Sequence, residues 1–444
     1  MSQSEFIAVV DLGTSKITCV VGRRNEDGGI SVLHHETIDS ENSIRRGLVY
    51  NIENTGGKID RVVRLMENKM GQKIGQIYVS LSGQSLQTLE FKELRQLYNG
   101  IVEEEDVKAL IDSANSFNKD LLNSSSLELR YNYLIGDVEY FIDGKSEKHP
   151  VGVTGKNLEG VFQLIVGRPN LLTNIKNSAS DKAKIPLAGF IVGAIASSKI
   201  VLTEEDKELG CALIDFGAGT TTLSIYKEGL LRRMVVIPFG GKNITKDIMA
   251  LQLMESEAER LKIKYGQAAE TRSNSFFESP FSSKSEVDVK ELNRVISLRL
   301  DEIVANVKEQ IILSGYQDKL ASGAVIIGGA SKLKNMDVYL KQKLNMPVRK
   351  GVISKGVINN ANELVNDPAF TQVLGMLLMA EKNCAYTEPV KEEPPVVEEQ
   401  EETQKPNKSQ KKSHGGKDSE KPKDSGGKFM NKVEGFFGRL FTEE

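Results

Sequence analysis

The chain has 444 residues, which is more than one hydrophobic core usually organises, so two or more lobes are expected. A formal net charge of −3 excludes the broad basic field of a nonspecific nucleic-acid binder. The three cysteines show neither pairing nor metal-ligand spacing, which favours free buried thiols in a reducing compartment. No secretion signal is visible, and no apolar run approaches the roughly 20 residues of a membrane-spanning helix.

The first segment predicts a β-hairpin with a polar tip. A buried strand ends at Asp11, and after Gly13 a second β-rich stretch covers residues 17–22. Strand and helix patterns then alternate along the chain, at residues 31–38 (strand), 59–66 (helix) and 76–82 (strand). This alternation favours an α/β fold.

The next region predicts one helix and two strands. Apolar residues from Val107 to Ala114 have helical spacing behind an acidic start at 103–106, where carboxylates suit a helix N-terminus. Residues 127–141 and 160–166 have the pattern of strands.

The first hairpin has a second copy. The segment Asp11-Leu12-Gly13-Thr14 recurs as Asp215-Phe216-Gly217-Ala218, again between two β-rich stretches. Two such hairpins predict two related lobes that face each other.

The later part of the chain predicts a mobile polar loop at 267–288 and a long amphipathic helix at 292–311. A buried strand at 324–327 then leads into Gly328-Gly329 and a helical pattern at 334–344. A diglycine in this position lets the backbone lie flat against a nucleobase or a ribose.

Composition changes near Tyr386. From 387 to 427 the residues are mainly Glu, Lys, Pro, Ser and Gly, which predicts a disordered linker. Apolar residues return with the spacing of one helical face, and basic residues that suit anionic lipid accompany them. The predicted membrane-facing set is Lys428, Phe429, Met430, Lys432, Val433, Phe436, Phe437, Arg439, Leu440 and Phe441. The alternative is that this helix docks on the protein itself or in a groove of another protein.

The two hairpin tips predict a phosphate site. Glycine allows backbone N–H groups to approach an anion, and an Asp at each strand end suits Mg²⁺, which keeps several of its waters. Asp11 and Asp215 are therefore the predicted metal ligands. Around them the predicted phosphate contacts are Gly13, Thr14, Ser15, Lys16, Gly217, Ala218, Gly219, Thr220 and Thr221.

The order of two hairpins and a diglycine resembles the phosphate-1, phosphate-2 and adenosine motifs of the actin and heat-shock chaperone ATPase superfamily. Within it the chain looks like FtsA, the cell-division actin homologue. Further stretches that carry the resemblance are 150–155 (PVGVTG), 194–198 (AIASS) and 236–241 (VIPFGG).

The resemblance implies an actin-like two-lobed α/β fold that binds ATP and Mg²⁺. It implies an inserted α+β subdomain for polymer and partner contacts, a self-associating protein at the cytoplasmic face of the membrane at the division site, and docking of the tail of the tubulin-like protein FtsZ. Recruitment of other division proteins, and no binding of nucleic acid, are also expected.

The resemblance also assigns individual residues. It adds Gly328, Gly329, Ala330 and Ser331 to the adenosine contacts. Glu259 and Lys262 resemble the pair that touches adenine and ribose, with an ordinary exposed helical charge pair as the alternative. Arg299 and Glu302 are the predicted FtsZ contacts, with a solvated helix face as the alternative.

Two departures from the superfamily pattern are visible. Ala218 stands where a glycine is usual, which is tolerable at a negative φ. Residues 193–198 contain no Glu or Gln to position an attacking water, so tight ATP binding with slow hydrolysis at most is expected and no catalytic residue is assigned.

The expected first-lobe core covers residues 1–84 and 168–200, with an inserted subdomain at 85–167 between its two parts. The expected second-lobe core covers 201–240 and 321–385, around an outer subdomain at 241–320. A linker at 386–427 and a membrane helix at 428–444 follow.

Three other function classes compete with this interpretation. A pilus-assembly platform protein of the PilM type has a similar core but lacks a long linker with a terminal helix. A chaperone needs a substrate-binding β domain after the ATPase core, and a sugar kinase needs a catalytic Asp base, for which there is no motif.

Overall fold

The computed structural model describes residues 5–123, 132–269 and 288–386, with backbone only at 115, 117–123 and 132–137. Residues 270–287 of the loop predicted at 267–288, the linker from 387 and the helix at 428–444 lie outside the described residues. So do the predicted membrane-facing residues, which stay predictions: Lys428, Phe429, Met430, Lys432, Val433, Phe436, Phe437, Arg439, Leu440 and Phe441.

The first half of the chain contains most of one sheet and a compact insertion. Its first elements are β1 (Ile7–Leu12), β2 (Lys16–Arg24), β3 (Ile30–Asp39), β4 (Ile44–Arg45), β5 (Leu48–Val49), α1 (Ile52–Met70) and β6 (Ile77–Leu81). The insertion consists of β7 (Gln87–Gln96), α2 (Glu104–Asn123), β8 (Asn132–Ile142), β9 (Lys145–Glu147) and β10 (Asn157–Gly167).

The remaining elements complete the first sheet and build the second. They begin with α3 (Pro169–Lys176), β11 (Leu187–Val192), α4 (Gly193–Val201), α5 (Glu204–Leu209), β12 (Cys211–Phe216), β13 (Thr221–Lys227), β14 (Leu230–Ile237), α6 (Gly241–Ile248) and α7 (Glu255–Tyr265). They end with α8 (Val289–Leu313), β15 (Ala324–Ile327), α9 (Met336–Leu344), β16 (Val348–Lys350), β17 (Ile358–Asn359), α10 (Asn362–Val365) and α11 (Thr371–Met379).

The two sheets repeat one plan. The first has the strand order β11-β6-β1-β2-β3-β17, and the second begins β16-β15-β12-β13-β14. In each sheet an antiparallel hairpin is flanked by a strand parallel to its first strand, and the registers correspond: Asp11 pairs with Thr18, and Asp215 pairs with Thr222. The predicted duplication is therefore confirmed at the level of strand pairing.

Buried helices form each lobe's core against its sheet. On α1 the apolar stripe of Ile59, Val62, Val63 and Met66 is buried, and the helix begins where the Asn51 side chain accepts from the Asn54 N–H at 2.9 Å. On α8 the predicted apolar stripe is likewise buried, over a helix slightly longer than the predicted span. These cores fix the direction in which both hairpin tips point.

The insertion has a hydrophobic core of its own, with Leu110, Leu158 and Phe162 at its centre. Its strand β7 also reaches β14 of the second sheet, through a single residue pair, Val235 with Gln87. Among residues 5–123, 132–269 and 288–386, no helix has the length and apolarity needed to cross a bilayer.

Candidate functional site

The first hairpin tip is a tight turn built around Gly13. The Gly13 N–H donates to the Lys16 carbonyl at 3.0 Å, and a Cβ on Gly13 would lie 2.7 Å from that oxygen. Real Cβ atoms essentially never approach this closely, so the turn requires glycine. The turn places Asp11 at the end of a buried strand and Thr14 and Ser15 at the tip.

The second tip repeats this geometry. The Gly217 N–H donates to the Thr220 carbonyl at 2.9 Å, and a Cβ on Gly217 would lie 2.9 Å from the same oxygen. Ala218 is not among the non-glycine residues with positive φ, so its methyl group is accommodated without backbone strain. The departure from glycine at this position therefore leaves the turn intact.

The two tips lie against each other across the cleft. A Cβ on Gly219 would lie 2.6 Å from the Thr14 Oγ1, which shows how closely the tips pack. The same Thr14 hydroxyl accepts from the Gly47 N–H at 3.0 Å. Any ligand held by one tip therefore meets the other.

The two carboxylates influence each other. Burial, followed by the negative charge of Asp11, raises the pKa of Asp215 to about 7. Burial also raises the pKa of Asp11, although hydrogen bonds from Ser80 and Gln372 and the charge of Lys16 oppose this. Two carboxylates that are costly to ionise together favour a cation between them.

A hydrated cation suits this pair better than a closed protein cage. Within the described residues no group of three or more His, Cys, Asp or Glu side chains could hold a metal. Asp11 and Asp215 would therefore leave several positions to water and phosphate oxygens, which is how Mg²⁺ is usually bound.

The diglycine closes the cleft on the other side. Gly328 has φ +88, and a Cβ there would lie 2.2 Å from the Asp215 Oδ1, so only glycine fits. Its N–H donates to the Pro368 carbonyl at 3.0 Å. Gly329 is more open, since the nearest atom to an added Cβ is the Ala369 methyl group at 3.7 Å. A flat ligand can approach the backbone here.

These elements line one cavity of about 1130 Å³, slightly above the usual range for small-molecule sites. All but two of the predicted nucleotide contacts line it: Asp11, Gly13, Thr14, Ser15, Lys16, Asp215, Gly217, Ala218, Gly219, Thr220, Glu259, Lys262, Gly328, Gly329 and Ala330.

Thr221 and Ser331 are the two exceptions, so the assignment of Thr221 as a phosphate contact and of Ser331 as an adenosine contact is corrected. Thr221 is fully buried and its hydroxyl donates to the Phe239 carbonyl at 2.9 Å, whereas the next residue, Thr222, lines the cavity. The buried Ser331 hydroxyl donates to the Gly328 carbonyl at 2.7 Å. Ser331 therefore supports the diglycine turn from behind.

Glu259 and Lys262 form more than an exposed charge pair. The Lys262 Nζ lies 2.7 Å from the Glu259 Oε2 and also donates to the Thr245 hydroxyl and the Gly241 carbonyl, at 2.8 and 3.0 Å. The lysine side chain is only 11% exposed, and burial lowers its pKa. The pair is part of the cavity wall.

Lys16 lies at the cavity wall with its Nζ 3.4 Å from the centre of the Phe370 ring, a cation–π contact. Burial lowers its pKa, while the charges of Asp367 and Asp11 act in the opposite direction. A phosphate would compete with the ring for this ammonium group.

Sequence reasoning missed Gln372. The side chain of this α11 residue donates to the Asp11 Oδ1 at 2.5 Å. A Cβ on Gly193, at the start of α4, would lie 2.2 Å from the Gln372 Oε1. The amide thus occupies the space where a side chain at position 193 would lie. The only available signal was one amide side chain in a mainly apolar helix.

The predicted partner residues lie away from the cavity, on α8. Arg299 forms a two-pronged ion pair with Asp247, one prong of which is an Nη2–Oδ1 distance of 2.9 Å, and it also contacts Glu302. Its guanidinium therefore joins α8 to α6 within the chain. The partner role of Arg299 and Glu302 stays a prediction.

The repeated sheets, the two facing turns and the diglycine define an actin-like protein with two lobes around a central cleft. A solved structure described as a "PilM-PilN type IV pilus biogenesis complex" has this fold, with a TM-score of 0.62 at 14% identity. The match covers 84% of this chain and 97% of that one.

Sequence comparison is more specific. Residues 212–375 match the family model for "Cell division protein FtsA". Proteins of that name from Porphyromonas gingivalis and Pseudomonas aeruginosa are 29% and 28% identical to the chain. Each match covers 85% of this chain, and 78% and 90% of the respective relative. The resemblance to FtsA is thereby confirmed.

Proposed function

We propose that the chain binds Mg²⁺ and ATP between its two lobes. The single observation that carries this is the packing of two Asp-ended, glycine-dependent turns against each other at one cavity, with the diglycine opposite. Asp11 and Asp215 hold the hydrated cation, the turns and Lys16 hold the phosphates, and the diglycine with Glu259 and Lys262 holds the nucleoside.

Hydrolysis is slow or absent. The first support is that residues 193–198 carry no Glu or Gln. The second is that the Gln372 amide, which lies next to Gly193, already donates a hydrogen bond to Asp11. A multiple-turnover phosphate-release assay at saturating Mg²⁺ and ATP tests this. Turnover at the rate of about one per second or faster, as typical enzymes show, would contradict it.

In the cell, the chain acts in division as a peripheral protein of the cytoplasmic membrane. It self-associates through the insertion at 85–167, tethers FtsZ filaments to the membrane and helps recruit later division proteins. The support is the FtsA-type sequence together with the amphipathic spacing at 428–441. Burial of several large side chains at roughly 1.5–3 kcal/mol each drives membrane binding, and ordering the helix opposes it.

One helix therefore binds weakly, whereas a row of linked copies binds strongly because linkage raises the effective concentration. Electron microscopy on a lipid monolayer tests this. With ATP, the full chain is expected to form membrane-bound polymers, and a version ending at residue 427 is expected to leave the membrane bare while binding ATP equally well. Equal membrane coverage by both versions would refute the anchor.

A PilM-type platform remains the second candidate because of the shared fold. At 14% identity that likeness concerns the fold only, whereas the relatives named FtsA match over most of the chain. Co-sedimentation with FtsZ filaments separates the two. The outer subdomain at 241–320 is the proposed docking region, so Arg299→Glu and Glu302→Lys are expected to weaken co-sedimentation. Unchanged co-sedimentation would exclude both contacts.

A further inference from the structure

Lys242 connects the two lobes at the cavity. It lies in the first turn of α6, whose start is fixed on the second hairpin tip. The Gly241 N–H donates to the Gly217 carbonyl at 2.9 Å, and the Lys242 N–H donates to the Ala218 carbonyl at 2.7 Å. The position of the Lys242 backbone is thus set by the turn that would hold a phosphate.

The Lys242 side chain crosses the cleft to the first lobe. Its Nζ donates to the Thr14 carbonyl at 3.2 Å and lies 3.4 Å from the Asn42 Oδ1. Both acceptors are neutral. These two contacts belong to the first hairpin tip and to the loop after β3, so this ammonium group spans the point where the two tips meet.

Two other lysines of the cavity have a carboxylate partner. Lys262 is paired with Glu259 at 2.7 Å, and Lys332 with Asp367 at 2.9 Å. For Lys242, no carboxylate of the described residues lies within the 4.0 Å of an ion pair. A cation held only by neutral oxygens binds an anion more strongly than it binds a carbonyl.

Lys242 also stands where two cavities join. A second cavity of about 790 Å³ shares five residues with the first: Thr14, Asn42, Gly219, Lys242 and Glu255. The charged groups that line it are mainly basic: Arg45, Arg46, Lys242 and Lys246, with Glu255 as the acid. The lining of the second cavity, which includes neither Gly328 nor Gly329, therefore carries a net positive charge.

We propose that Lys242 binds the terminal phosphate of a nucleoside triphosphate and makes the cleft prefer a triphosphate to a diphosphate. This inference rests on the proposed nucleotide function. With a triphosphate, the ammonium group exchanges its neutral acceptors for phosphate oxygens while its backbone stays on the second tip. With a diphosphate, the ammonium group keeps its hydrogen bond to the Thr14 carbonyl, so Lys242 contributes little to diphosphate binding.

The test measures the affinity of the full chain for the magnesium complexes of ADP and of the non-hydrolysable imido analogue of ATP, by calorimetry. Lys242→Met keeps the length of the side chain and removes the charge. It is expected to weaken triphosphate binding by about ten- to a hundredfold, the range for a hydrogen bond to a charged group, and diphosphate binding by less than about twofold.

Lys246→Met is the matched control. This residue lies one turn further along α6 and lines only the second cavity, so both affinities are expected to stay within about twofold of the unmodified chain. Thermal unfolding of both variants confirms that each is folded. Lys242→Arg, which keeps the charge, is expected to restore most of the triphosphate preference.

Three results would overturn the proposal. The first is an equal loss of affinity for both nucleotides in Lys242→Met, and the second is no loss of triphosphate affinity in that variant. The third is the same selective loss of triphosphate affinity in Lys246→Met. If the unmodified chain binds neither nucleotide, the proposed function itself fails. That outcome is distinct from the other three, because in each of them the unmodified chain binds both nucleotides.

Discussion

The coupled carboxylates predict how stability depends on pH. Burial and the charge of Asp11 raise the pKa of Asp215 from 3.8 to about 7. Between these values the folded state holds a proton that the unfolded state has lost, so the free energy of unfolding decreases as pH rises. For one proton, the free energy of unfolding falls by about 1.4 kcal/mol per pH unit, and this dependence ends above about pH 7.

Asp215→Asn removes this titration while it keeps the shape of the side chain. Urea unfolding between pH 5 and 8 is therefore expected to show a gain in stability over the unmodified chain that increases up to about pH 7, on the order of 3 kcal/mol across the range. Asp60→Asn, on α1, is the control and should follow the unmodified chain. Parallel profiles for the Asp215 variant and the unmodified chain would refute the argument.

Three further predictions concern the packing of the site and of the fold. Gly219→Ala is expected to separate the hairpin tips, because the new Cβ would lie 2.6 Å from the Thr14 Oγ1, and to weaken ATP binding at least tenfold; Gly57→Ala, which meets no atom within 4 Å, should leave ATP binding unchanged. Arg232→Ala is expected to cost about 3 kcal/mol in urea unfolding, because it leaves Glu139 of the insertion without its buried partner, whereas truncation of an exposed arginine costs under about 1 kcal/mol. The three cysteines should react with a thiol reagent only on unfolding, because burial raises their pKa, and rapid modification of the native chain would contradict their burial: Cys19, Cys211 and Cys384.

The sequence was sufficient for the parts of the fold that local patterns determine. The two Asp-x-Gly hairpins, the diglycine and the long helix α8 each have their own signal within about twenty residues. Duplication of the hairpin then implied two lobes, and the equivalent registers of Asp11 with Thr18 and of Asp215 with Thr222 confirm it.

The error at Thr221 has a physical cause in the alternation of strand residues. Successive strand residues point to opposite faces, so a shift of one residue exchanges a cavity position for a buried one. The composition of the second tip did not fix where its strand begins, and β13 begins at Thr221. Thr222 therefore faces the cavity in its place.

The contacts that sequence reasoning missed are all distant along the chain. Gln372 meets Asp11 across 361 positions, and Lys242 meets Thr14 across 228. Neither residue belongs to a motif, and each is an ordinary polar residue on a helix. Only the assembled lobes bring them to the cleft.

The central claim is that one Mg²⁺-nucleotide complex is held by both lobes at once. Calorimetric titration of ATP with Mg²⁺ into the full chain, and into Asp11→Asn and Asp215→Asn separately, tests it most directly. The expected result is one site per chain in the unmodified protein and a loss of Mg²⁺-dependent binding in each variant. Undiminished binding in either variant would show that the corresponding lobe takes no part, and would contradict the account.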